Sequence, residues 1–267
     1  MIELPFELEL KMFAEKGVLL PSFTGYISRG LMLHMLRQVD PSISQKLHEP
    51  NVVKPYSVTP LRFRSIQKLK EGYILDKSYP CSFGIRFLND ALVKTAIDYF
   101  NENNKVMILD APFYISSVNI KSKDFAKLIS ENSSIETFRL YFKTPTHFST
   151  IGSKFDKLFP DPIMIFPNLM RIWDSCMSNY KQFGKEAHKE YKEWVKDNVG
   201  VSGHELRTLT VNGKSRKIGF VGWTAYRMKD DNNWCKVTSL LASLAEYSNI
   251  GSDRTAGFGV VRCVPFT

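Results

Sequence analysis

Two stretches of the chain carry residue types that could act on phosphate. His48 and Lys54 lie six residues apart around a proline-containing segment, 48–55. A histidine transfers protons near neutral pH because its unperturbed pKa lies there. A lysine ammonium can neutralise charge that develops on a reacting group. Taken alone, such a pair is more often a solvated histidine and a solvent-facing lysine. The second stretch runs Gly251-Ser252-Asp253-Arg254-Thr255-Ala256-Gly257-Phe258-Gly259. Its glycines permit positive φ and close backbone approach. Backbone N–H groups exposed in such a loop can hold phosphate oxygens. Arg254 adds a charged fork and Thr255 a hydroxyl. A lone loop of this kind more often just turns a helix into a strand. It lacks a GK[ST] signature, which argues against nucleoside triphosphates.

The charge balance points the same way as the loop. The 267 residues carry 36 Lys and Arg against 27 Asp and Glu, a formal net charge of +9. Such an excess favours a polyanionic partner, because basic groups release counterions from a phosphate backbone. The four cysteines, 81, 176, 235 and 263, stand alone with no CxxC pair. They read as small buried hydrophobes rather than zinc ligands, and a reducing cytoplasm suits them. No metal and no cofactor is expected. The N-terminus carries Glu3, Glu7 and Glu9 rather than a basic start and an apolar run, so a signal peptide is not expected. No apolar stretch is long enough to predict a membrane span.

The elements that must position these residues follow from periodicity. Residues 2–14 alternate and predict a half-buried strand. Ser22 or Thr24 can cap a helix to about Lys46, with Ile27, Leu31 and Met35 on one face. Residues 48–55 read as a loop, and 56–67 and 79–88 as strands. Asn89 or Asp90 caps a helix to about Asn101, and 105–120 returns as a strand. The order β-α-β-β-α-β is that of a ferredoxin-like or RRM-like unit. The second half repeats it: a strand at 135–144, helical pieces over 161–197 broken near Gly184, and a hairpin of 201–211 and 216–228 turning at Asn212-Gly213. A helix at 234–248 and a last strand at 258–265 complete it. The predicted class is α+β with two tandem units, 1–132 and 133–267. The first carries His48 and Lys54, the second the glycine-rich loop.

The tail LLASLAEYSNIGSDRTAGFGVVRC resembles the closing motif of the sixth CRISPR-associated (Cas) family, endoribonucleases of the RAMP superfamily that cut precursor CRISPR RNA at its repeats. Leu47-His48-Glu49, Lys54-Pro55-Tyr56-Ser57-Val58-Thr59-Pro60-Leu61, Thr144-Pro145-Thr146-His147-Phe148, Leu158-Phe159-Pro160-Asp161-Pro162 and Gly219-Phe220-Val221-Gly222 agree, so the resemblance covers nearly the whole chain. It implies two tandem ferredoxin-like units. It also implies a metal-independent reaction: the RNA 2′-hydroxyl attacks the adjacent phosphorus and leaves a 2′,3′-cyclic phosphate and a 5′-hydroxyl. By resemblance, His48 falls on the family's catalytic histidine and Lys54 on its transition-state lysine. The family's helix tyrosine corresponds to Leu33, which cannot take a proton, while His34 stands next to it. His34 is therefore either a catalytic substitute or a histidine packed with Ile27 and Leu31. Arg29, Arg37, Arg62, Arg64, Arg254 and Arg262 are candidates for the RNA backbone, with Gly251, Thr255, Gly257 and Gly259 in the loop. Arg62 and Arg64 alternate on the predicted strand and so share a face. His147 reads as shaping a turn, and His188 and His204 as surface residues.

The expected partner is a precursor CRISPR RNA repeat, with an effector complex and a homodimer left open. The competing expectation is a RAMP protein that binds CRISPR RNA without cutting it, which the missing tyrosine favours. A general RRM-like single-strand binder ranks below both, because no stretch matches the consensus with stacking aromatics.

Overall fold

The computed structural model describes residues 5–131, 135–212, 216–229 and 233–265. The chain falls into two compact units, residues 5–122 with 255–257, and residues 123–254 with 258–265.

In the first unit, β1 (Phe6–Ala14) buries Leu8, Leu10 and Met12 on one face, as its alternation predicts. After it come β2 (Leu19–Leu20), α1 (Gly25–Val39), α2 (Pro41–His48), β3 (Tyr56–Val58), β4 (Ser65–Lys68), β5 (Tyr73–Leu75) and β6 (Cys81–Phe87). Then follow α3 (Asp90–Glu102), β7 (Lys105–Ile108) and β8 (Ala111–Ser122). The main sheet has the order β3-β6-β1-β8-β7 with antiparallel neighbours. Its strands β1, β3, β6 and β8 alternate with helices in the ferredoxin-like pattern, with β7 added at the edge. The core of this unit joins the sheet's Leu8, Leu10, Phe83 and Ile85 to Met32, Met35 and Leu36 of α1 and to Val93 and Ala96 of α3.

The second unit contains α4 (Phe125–Glu131), β9 (Thr137–Thr146), α5 (Pro162–Cys176), α6 (Gly184–Asn198), β10 (Val199–Val211), β11 (Lys217–Met228), α7 (Asn233–Ser248) and β12 (Val261–Pro265). Its sheet order, β10-β11-β9-β12, repeats that of the four core strands before it. The motif Leu158-Phe159-Pro160-Asp161-Pro162 starts α5: Asp161 accepts from the Ile163 amide at 3.1 Å and Pro162 takes the first turn. Phe138 of β9 lies 5.8 Å from Phe166 of α5 and 5.5 Å from Tyr226 of β11, ring centre to ring centre. These buried rings join the sheet to the helix beneath it.

Several expected elements take a different form. The helix expected to run to Lys46 is two helices. Pro41 cannot donate to α1, so Asp40 becomes extended and its carboxylate caps α2 through the Ser42 amide at 2.9 Å. The strand expected over 56–67 breaks at Pro60. Beyond it, Arg62 keeps only an isolated bridge to Ser82, and β4 joins a separate sheet ordered β2-β5-β4. Arg62 and Arg64 are therefore exposed but do not alternate on one strand. The expected strand 105–120 is the hairpin β7–β8, turning at Leu109 with φ 55°. Gly213, placed in the Asn212-Gly213 turn, lies outside the described residues. The units divide between Ser122 and Lys123 rather than at 132/133, because α4 packs with the second unit: Phe125 sits 5.7 Å from Trp173 of α5.

Cys81, Cys176 and Cys235 are buried and Cys263 half-buried, and none of the four forms a disulfide. Burial pushes the Cys81 and Cys263 thiols up to about 12. Among the described residues, no helix is long and apolar enough to cross a membrane.

Candidate functional site

In the first unit, the end of α2 gathers the expected catalytic pair. Leu47 is buried and anchors the last turn, which leaves the next side chain, His48, exposed. Glu49 then leaves the helix with ψ 132°. The chain returns so that the Lys54 ammonium donates a hydrogen bond to the Glu49 carbonyl. A cation is thus held at the residue that directly follows the histidine. Lys54 is half-buried, which suits a side chain fixed in place more than one swinging freely in water.

His34 lies on α1 and is exposed. The buried face of α1 is made by Leu31, Met32, Met35 and Leu36, and Leu33 packs partly against the core. The reading of His34 as a packed core histidine is therefore corrected: its ring is open to solvent. Tyr26, two turns earlier, is also exposed. Arg29 is half-buried and Arg37 exposed on the same helix. Arg62 and Arg64 each have an acidic neighbour. Arg62 stands 3.2 Å from Glu9, whose carboxyl is held below its ordinary range chiefly by its hydrogen bond with Lys121. Arg64 stands 3.9 Å from Asp76 and lies 4.0 Å over the Tyr79 ring.

The glycine-rich loop follows α7; its residues 251–254 and 258–259 belong to the second unit and 255–257 to the first. Gly251 (φ 82°) and Gly259 (φ 65°) lie in the left-handed region. A Cβ on Gly259 would sit 1.7 Å from the Ile250 carbonyl oxygen, so close approach as well as φ requires glycine there. Arg254 opens a short 3-10 turn, Arg254–Ala256. Its Nη1 donates to the Ser248 carbonyl at 3.1 Å, so part of the guanidinium fork closes the end of α7. Thr255 is half-buried; Gly257 (φ 81°) and Gly259 are buried. Arg262 is exposed on β12, in register with Tyr141 of β9.

The loop is braced by a residue that sequence reading assigned only to a turn. His147 is fully buried. Its Nδ1 lies 2.8 Å from Asp156 Oδ2 and its Nε2 3.4 Å from Asp253 Oδ2. Lys217 stands 3.2 Å from the same Asp253 oxygen. The His147 interaction, with help from Lys217 and against burial, holds the Asp253 carboxyl below its ordinary range. The His147 carbonyl accepts from the Ser252 amide at 2.9 Å, and Phe258 meets the ring edge-on at 5.5 Å. The four polar residues are scattered through the sequence, and only the fold brings them together. His188, read as a surface residue, is part-buried and stands 3.0 Å from Asp174; His204 is exposed. Among the described residues, no group of three or more His, Cys, Asp or Glu side chains could hold a metal ion.

Residues 140–261 match the family model of CRISPR-associated endoribonuclease Cas6. This segment resembles the Cas6 family. The match runs from the middle of β9 through the glycine-rich loop into β12. Solved Cas6 structures resemble the chain over its whole length. The Thermus thermophilus Cas6 is 22% identical with a TM-score of 0.73, covering 98% of each chain. A product complex of the same Cas6 reaches 0.80 at 21% identity, covering 99% of this chain and 100% of its own. A Cas6-related protein from Pyrococcus furiosus gives 0.65 at 14% identity, covering 97% and 98%. At these identities the likeness is one of fold, and it agrees with the two ferredoxin-like sheets. No curated protein matches the chain.

Proposed function

We propose that this protein is an endoribonuclease that processes precursor CRISPR RNA by cutting within its repeats. The observation that carries the reading is the Cas6 match across residues 140–261, on a chain whose first unit holds a cation beside an exposed histidine at the end of α2. The net charge of +9 supports a polyanionic substrate.

The chemistry proposed uses the RNA's own 2′-hydroxyl. Its oxygen bonds to the adjacent phosphorus, the bond from phosphorus to the 5′-oxygen breaks, and a 2′,3′-cyclic phosphate and a 5′-hydroxyl result. Two protons must move: one leaves the 2′-oxygen and one arrives at the departing 5′-oxygen. His48 is suited to proton transfer, and Lys54 to the charge on the phosphorane. Exposed His34 takes the base role that Leu33 cannot fill. With side chains in all three roles, no metal is required.

One observation favours a second reading. Leu33 packs against the core where the family has a proton-accepting tyrosine. A RAMP protein that binds CRISPR RNA without cutting would tolerate that residue. Single-turnover incubation with labelled repeat RNA in EDTA separates the two, run beside RNA carrying a 2′-deoxy sugar at the cut. Cleavage at one site that the deoxy sugar abolishes supports the enzyme. Tight binding with intact RNA supports the second reading.

A further inference from the structure

Residues 148–159, between β9 and α5, display side chains that have no packing role there. Phe155 is 84% exposed and Ile151 fully so. The segment is nevertheless tightly built. Phe148 and Lys157 exchange backbone hydrogen bonds of 3.0 and 2.8 Å and close it as a small hairpin. The Phe148 ring is buried beside Phe220, at 6.2 Å between centres. Inside the hairpin, Ser149 Oγ donates to Asp156 at 2.9 Å and the Phe155 amide donates to Ser153 Oγ at 3.0 Å.

The hairpin is also tied to the glycine-rich loop. The Ser149 amide donates to Ser252 Oγ at 2.9 Å, and buried His147 stands between Asp156 and Asp253. Asp156, the one acid in 148–159, is therefore engaged with Ser149 and His147, while Lys154 and Lys157 remain exposed. An exposed ring between two cations, on a rigid support, is the combination by which proteins hold unpaired nucleic acid: the ring stacks a base and the cations take the flanking phosphates. A protein–protein contact fits less well, because lysine is depleted at such interfaces and Ile151, Phe155 and the partly exposed Phe159 offer little area.

We propose that Phe155 is a stacking platform for one unpaired base of the RNA, with Lys154 and Lys157 on the adjacent phosphates and the glycine-rich loop beside them. The inference rests on the RNA reading above and adds to it a site that discriminates single-stranded from paired RNA.

The test uses the full chain and repeat RNAs carrying 2-aminopurine at successive unpaired positions. Wild-type protein should alter the fluorescence strongly at one position. Phe155→Ala should remove that change, weaken binding about tenfold, and leave the thermal midpoint where it was, since the ring supports no core. Phe155→Trp should restore both binding and the fluorescence change. Equal affinity and an unaltered signal in Phe155→Ala overturn the platform while leaving the RNA reading intact. A Phe155→Ala variant that turns a dimer into a monomer in sedimentation, with RNA binding unchanged, replaces it with self-association. Wild-type protein that binds no RNA overturns both.

Discussion

The Asp253 carboxylate stands 3.4 Å from the buried ring of His147. That contact joins the glycine-rich loop to the strand end beneath it and holds the Asp253 carboxyl below its ordinary range. Because the folded value is depressed, the stabilisation is complete above the unfolded carboxyl value, about 3.9, and is lost as pH falls through the lower folded value. The thermal midpoint should show an acid limb below about pH 4 from this group. Asp253→Asn should lower the midpoint at neutral pH and flatten that limb. Melting curves across pH check it, and an unchanged limb in the variant removes Asp253 as its source.

Substitution at the end of α2 should separate chemistry from binding. His48→Ala is expected to slow single-turnover cleavage about 10²- to 10⁴-fold, the usual contribution of a positioned proton-transfer group. Lys54→Ala should cost roughly 10²-fold or more through lost stabilisation of the phosphorane. Both residues lie outside the apolar core, so repeat affinity and fold should hold. Equal rates for His48→Ala and wild type would end the catalytic assignment.

His34 is exposed, so His34→Ala should leave stability within about 0.5 kcal/mol. If the ring accepts the 2′-proton, the rate falls and the acid side of the pH–rate profile changes shape. A profile identical to wild type would leave His48 and Lys54 working without a separate base.

Arg254 should matter twice. Arg254→Ala is expected to weaken repeat binding and lower the slope of log affinity against log salt by about one. It should also loosen the loop, because Nη1 no longer closes onto the Ser248 carbonyl. Affinity measured from low to high salt tests the first effect; an unaltered slope means the guanidinium meets no phosphate.

Gly259→Ala should be severe. The methyl group would stand 1.7 Å from the Ile250 oxygen at a φ of 65°. A cost of about 3 kcal/mol or more is expected, read as a lower denaturation midpoint.

Most of the architecture was legible because the long elements repeat their apolar residues cleanly. β1 alternates, α7 keeps one buried face, and the order of elements gave both ferredoxin-like units. Errors came where a single residue overrode periodicity. Pro41 split a helix, Pro60 ended a strand, and Leu109 turned one expected strand back on itself. The short β2 and β5 lack enough residues to show a period. At the site, His48 and Lys54 were visible because they are near in sequence. The brace of His147, Asp156, Lys217 and Asp253 was not, since no pattern links residues that far apart. Phe155 reads in sequence as one more apolar residue, and only the fold shows that nothing covers it.

The pairing of β1 also sets a timetable for synthesis. Phe6 is in register with Ser122, and Ala14 with Phe113. The strand at the middle of the first sheet thus leaves the ribosome long before β8, one of its two neighbours. At about 5–20 residues per second, the wait is roughly 6–23 s. During that interval an apolar face carrying Leu8, Leu10 and Met12 has no completed sheet to join. Nascent chains of this protein are therefore expected to spend their early life as clients of holding chaperones, and synonymous codon changes that slow elongation between α3 and β8 should lower soluble yield without altering one residue.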